Sequence, residues 1–153
     1  MGQSTNGMLV YGYDLGGDED GWQIAEENIA AFLEWGSGED GDLVEKGKVR
    51  LLASVGFTET DWRADGYHER KKAAEERLGV EFESYCSGDY PMWLLAAHTV
   101  TVYRGDCKEI DFAALEKART EGDWDAKLAH AIQVLGITPT QEKPGWLLVS
   151  YWG

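Results

Sequence analysis

The chain has 153 residues, 28 of them acidic and 14 basic, for a net charge of −14 and a pI near 4.5. A chain of this length forms one domain that hides roughly 70% of its unfolded surface. The 43% hydrophobic content, with seven Trp, seven Tyr and four Phe, excludes a disordered polymer, while the acidity excludes nucleic acid and anionic lipid as direct partners.

Met8–Tyr13 is a short apolar and aromatic run ended by Gly16 and Gly17, which predicts a first strand. Asp20 with Gln23 has the form of a capping box, and Trp22, Ala25, Ile29, Phe32 and Leu33 recur at helical spacing, predicting a helix that ends at Gly36. A glycine-rich loop over 36–41 leads to Asp42 and Glu45, a second capping box, and to a helix stopped by Gly56. Gly47 inside that helix weakens it. Thr58 is the next predicted cap, with Phe57 and Trp62 placed as a hydrophobic staple; this third helix runs to Leu78, with a possible break at Asp65-Gly66.

Val80–Tyr85 alternates apolar and charged residues, and Met92–Arg104 carries Thr99-Val100-Thr101-Val102-Tyr103; both predict strands, joined as an antiparallel hairpin by Ser87–Pro91. Pairing Cys86 with Met92 would set Val80 opposite His98. Asp111 caps a helix ending near Gly122, and Asp123 caps another that presents Trp124, Leu128, Ile132 and Leu135 before Gly136. Trp146–Trp152, apolar on both faces, predicts a central strand covered on both sides. The order β-α-α-α-β-β-α-α-β describes a single α+β domain: a small, at least partly antiparallel sheet of about four strands with about five helices packed on it.

The charge is unevenly placed. Eleven carboxylates and no Lys or Arg precede Lys46, whereas residues 46–153 hold 17 acids and 14 bases, so −11 and −3 make up the total. An export signal needs a basic stretch before an apolar one, and the apolar run 92–97 is far shorter than the roughly 20 residues of a membrane span. The expectation is a soluble cytoplasmic protein without membrane contact, whose Cys86 and Cys107 are free thiols.

Motifs for chemistry are weak. With Gly16 in first place, Asp18, Asp20, Gly21 and Glu27 fall at calcium-loop spacing, but Gly16 is no ligand and a strand enters the loop, so the carboxylates read as helix caps. The proposed hairpin parts Cys86 from His98 by about 20 Å, too far for a thiol and its base. His68, His98 and His130 form no ligand cluster, and neither phosphate-binding glycine motif occurs. Across 63–78 five bases face four acids, a solvated helix face and no nucleic-acid footprint. No cofactor, metal or catalytic residue is assigned.

What remains is a non-enzymatic interaction module whose acidic N-terminal face docks a basic protein, as an accessory or inhibitory factor in the manner of a DNA mimic. The residues assigned to that face are Asp18, Glu19, Asp20, Trp22, Glu27, Glu34, Glu39, Asp40 and Asp42. Trp is the residue most enriched in binding hot spots, although core packing is the commoner fate of Trp22 and Trp35. The alternative is a small carboxylate-based or metal-assisted enzyme, recognisable by a cleft holding perturbed carboxylates beside a His. A third possibility is a subunit of a larger assembly, recognisable by an exposed apolar patch.

Overall fold

The computed structural model describes residues 5–17, 22–25, 29–36 and 43–152, without the side chains of 29 and 31–33. Its elements are β1 (Thr5–Gly16), α1 (Ile29–Gly36), α2 (Leu43–Ser54), α3 (Tyr67–Leu78), β2 (Glu81–Cys86), β3 (Pro91–Val102), α4 (Phe112–Glu121), α5 (Trp124–Leu135) and β4 (Gly145–Trp152). This is the predicted order and the predicted α+β class. The long strand β1 lies between β3 and β4, antiparallel to both; β2 pairs with the other edge of β3. A single parallel pair, Cys86 with Tyr151, brings β2 to β4 and closes the sheet into a small barrel.

Side chains alternate along each strand, so each strand divides its residues between the barrel interior and the outside. Met8, Val10, Leu94 and Ala96 form the interior, joined by Tyr85, Leu147, Val149 and Tyr151. Tyr11, Tyr13 and Leu15 point outward into a larger core with Leu51, Leu78, Leu128 and Leu135 from the helices. The register shifts between Tyr11 and Gly12, where Val10 opposes Thr99 but Gly12 opposes Ala96, so β3 carries one extra residue. That bulge lets Ala96 and Thr99 face the same way despite their odd spacing. Gly12 lies against β3 so closely that a Cβ there would sit 1.9 Å from the Leu95 carbonyl oxygen.

The hairpin is present one residue away from the expected register: Cys86 pairs with Pro91 and Glu81 with Ala96. A slip of one residue turns every β2 side chain relative to β3, and the observed register sets Phe82 opposite Leu95, both in the larger core. Trp22–Ala25 is extended, not helical. Its backbone is spent on other partners: Gln23 N–H donates to the Leu15 carbonyl at 2.7 Å, Ala25 N–H to that of Thr138 at 2.8 Å, and Ile24 bridges Pro139. The Asp20 and Asp42 caps lie outside the described residues.

The predicted Thr58 helix is also corrected: 58–61 is irregular and α3 starts only after Gly66, at φ +72°. Phe57 packs on Tyr67, ring centres 5.4 Å apart, while Trp62 stays 60% exposed, so no staple forms. Asp111 does cap α4, accepting from Ala114 N–H at 3.0 Å. Asp123 precedes α5 with φ +52° and makes no side-chain cap bond. Gly47 is buried in α2 because a Cβ would come within 3.0 Å of the Phe82 ring. Finally, β4 is not covered on both faces, since Leu148 is 80% exposed.

Replacing Gly12 by Ala forces β1 and β3 apart at the bulge. The G12A variant is expected to lose about 3 kcal/mol or more of unfolding free energy, read as a fall in the urea midpoint, whereas V49A on the exposed face of α2 should leave it within about 0.5 kcal/mol.

Candidate functional site

The acidic face sorts into described and undescribed parts. Asp18, Glu19, Asp20, Glu27, Glu39, Asp40 and Asp42 lie outside the described residues, as does Glu26. These eight acids and no bases account for −8; the described residues hold 20 acids and 14 bases, or −6, and the two sum to −14. Ile24, Trp35 and Leu43, which stand close to these segments in sequence, pack on the larger core, as does Trp93. Gly17 abuts Trp93, since a Cβ there would meet its ring at 3.2 Å.

Glu34 is exposed on α1. Trp22 is 7% exposed and belongs to the core: it stacks on Phe82 at 5.3 Å and tilts against Trp35 at 6.1 Å. The Trp35 indole N–H donates to the Leu135 carbonyl at 2.8 Å, tying α1 to α5. Asp14, on β1, is used locally: its Oδ1 accepts from Tyr85 at 2.9 Å and from Gly16 N–H at 2.8 Å.

The bases that form ion pairs with described acids do so with acids from Glu45 onward. Lys48 meets Glu45 at 2.8 Å, Arg70 meets Glu59 at 2.9 Å, Lys71 meets Glu75 at 3.9 Å and Lys117 meets Glu121 at 3.7 Å. Arg119 bridges Glu116 at 2.8 Å and Asp125 at 2.6 Å. Pairs this exposed add little stability, but they neutralise one another and leave the later part of the chain close to balance.

Sequence reasoning missed a polar and aromatic cluster where α4 and α5 meet the barrel. Tyr11 donates to Asp125 Oδ1 at 2.5 Å, and Trp146 Nε1 donates to Glu116 Oε1 at 2.9 Å. Burial, followed by Asp125, pushes the Tyr11 phenol up to about 12. His98 stacks on Trp124 at 4.8 Å, and burial lowers its pKa. The spacing of Glu116 and Arg119, three apart on α4, is the one local signal in this cluster, since Tyr11 and Asp125 stand 114 residues apart. The cluster's charged groups are paired with one another, so its chemistry is consumed in fastening the helices.

A second perturbed group is Glu83, pushed up to about 7 by burial and by the neighbouring Glu81 carboxylate. Glu83 and Tyr85 alternate with Phe82, which packs on the helix side, so Glu83 faces the barrel interior, while Glu81 is exposed at the start of β2. His98 points the other way, onto Trp124. The carboxylate-and-histidine cleft that an enzyme reading called for is therefore not assembled from these residues. A cleft of about 690 Å³ between α2, α3 and β2 has a floor including Leu52, Phe57, Val80 and Phe82 and contains neither His nor Cys. Among the described residues no group of three or more His, Cys, Asp or Glu is placed to hold a metal ion, and no helix is long and apolar enough to cross a membrane. Cys86 and Cys107 are free and exposed, Cys86 with φ +74° where β2 meets β4.

Comparison with protein families, with curated proteins and with solved structures finds no match to this chain.

Glu83 sets a pH dependence. Its folded pKa lies above the ordinary carboxylate value, so its contribution is fully present below about pH 4.5 and is lost as pH rises through about 7. Because the residue is only half buried, solvent screening limits the penalty to about 1 kcal/mol. The E83Q variant should raise the melting temperature at pH 8 and leave it unchanged at pH 4.5; equal shifts at both values would contradict this assignment.

Proposed function

We propose that this protein is a non-enzymatic interaction module that docks a basic partner protein through the acidic segments flanking Trp22 and α1, acting as an accessory or inhibitory factor. The observation that carries this reading is the placement of charge: eleven acids and no bases precede Lys46, eight of them in segments joined to one well-packed core, while residues 46–153, with 17 acids and 14 bases, carry only −3. A field of this sign accelerates encounter with cationic surfaces and repels phosphates and anionic lipid. The partner's basic groups, not its fold, are what such a face selects.

The surroundings of Tyr11, Asp14 and Glu83 also favour docking over the enzyme alternative. Tyr11 and Asp14 hold elements together, and Glu83 faces an interior occupied by Met8, Val10 and Leu94. None of them opens on a space for substrate beside a proton-transfer partner.

Docking by charge weakens as ions screen it, over a Debye length of about 8 Å at physiological ionic strength. Capture of basic proteins by the immobilised chain should fall at least tenfold between about 50 mM and 500 mM salt, and by a similar factor in the combined D18N, D20N, E39Q and D42N variant. Capture indifferent to both salt and substitution would refute the reading.

A further inference from the structure

The geometry points to a small-molecule site in the cleft between α2, α3 and β2, and to an organic cation with an apolar body as its ligand. The cleft measures about 690 Å³, within the roughly 300 to 1,000 Å³ of small-molecule sites. At about 30 Å³ for each water-sized group, that is room for about twenty non-hydrogen atoms. The floor is apolar and aromatic, since Leu52, Phe57 and Phe82 line it while belonging to the larger core. The α3 wall is one helix face, formed by Tyr67, Lys71, Glu75 and Leu78, and the Tyr67 ring stands edge-on to Phe57 with ring centres 5.4 Å apart. Floor and wall together offer a ligand two kinds of contact, apolar area and aromatic faces.

Charge selects the ligand. The carboxylates of Glu45, Glu59, Glu75 and Glu81 line the cleft with the ammonium groups of Lys48 and Lys71, for a net charge of −2. Most of these charges are already matched. Lys48 meets Glu45 at 2.8 Å and Lys71 meets Glu75 at 3.9 Å, each on its own helix, while Glu59 is held by Arg70 at 2.9 Å. Glu81 is the exception: among the described residues it forms no ion pair, and the charged group beside it is the Glu83 carboxylate. Lys127 lies against Gly79, which lines the cleft, but Lys127 itself does not line it. An anionic head group would meet this excess of carboxylate and be repelled. An ammonium group set against Glu81 is attracted, while its hydrocarbon body covers Phe57 and Phe82 and its charge can face the Tyr67 ring.

The cleft stands apart from the acidic docking, because a small cation reports on the one and capture of basic proteins on the other, so either can fail alone. Titration of the whole chain with decyltrimethylammonium, kept below its micellar concentration and followed by amide NMR shifts, should give saturable changes centred on Leu52, Thr58, Val80 and Glu81, with a Kd below about 1 mM. Decanoate, of similar chain length and opposite charge, should bind about tenfold more weakly, and tetramethylammonium, the head group alone, should not saturate in the same range. E81Q should weaken decyltrimethylammonium binding about threefold or more. A53W and V49W, which narrow the cleft from exposed positions on α2, should weaken it about fivefold or more, the dispersed amide spectrum of each variant showing that it is folded. Decanoate binding as tight as the cation would overturn the proposal, as would E81Q binding equal to that of the unsubstituted chain. Shifts that fail to saturate, or that persist at full strength in both Trp variants, would overturn it too, assigning the cation to diffuse surface charge.

Discussion

The structure depends on β1 being hydrogen-bonded along both edges. Its twelve residues pair with β4 from Thr5 to Gly12 and with β3 from Gly7 to Gly16, so this strand sets the register of everything else. Strict alternation then gives it two jobs. Asn6, Met8 and Val10 face the barrel interior, while Tyr11, Tyr13 and Leu15 supply the surface on which the helices pack. The bulge at Ala97 and the absence of a side chain at Gly12 keep β3 in step across the change of register. A Cβ at that crossing would drive apart the strands that define both cores.

Tyr11 marks the boundary between covered and bare sheet. Its phenol is held by Asp125 at the start of α5, its ring by the Arg119 guanidinium 5.5 Å away and by the Trp124 and Trp146 rings. The ion pairs in this cluster are exposed and contribute little each; the buried aromatic area does more, since each such ring removes about 150 to 250 Å² from water. One row further along, beside Leu9, Leu148 is 80% exposed.

Much of this was legible in the sequence, because the amphipathic periodicity of α2, α5 and β3 and the glycines after α3 and α5 report local physics that the fold obeys. The cap at Asp111 was readable for the same reason. Legibility stopped where distant groups competed for the backbone. Trp22–Ala25 has helical spacing, yet its amides bind Leu15 and Thr138, partners that no local pattern reveals. The apolar faces of β4 were read as double coverage, whereas Leu148 and Trp152 are apolar and exposed, a pattern that burial rules misassign by construction. Gly47 looked like a defect in a helix and is a contact made possible by the missing Cβ. Of the proposed site, the charge asymmetry was visible at once, and Trp22 turned out to serve the core.

The central claim is that β1 is the member on which both cores are built. Native-state hydrogen exchange followed by NMR tests it directly, because amides that open only with global unfolding carry the full unfolding free energy, and those in weakly packed elements carry less. The account predicts that Met8 to Leu15 exchange with the slowest, global rate while α3, which buries only Ala74 and Leu78, exchanges faster by local opening. Exchange of the β1 amides through a partial opening, at rates equal to or above those of α3, would contradict it.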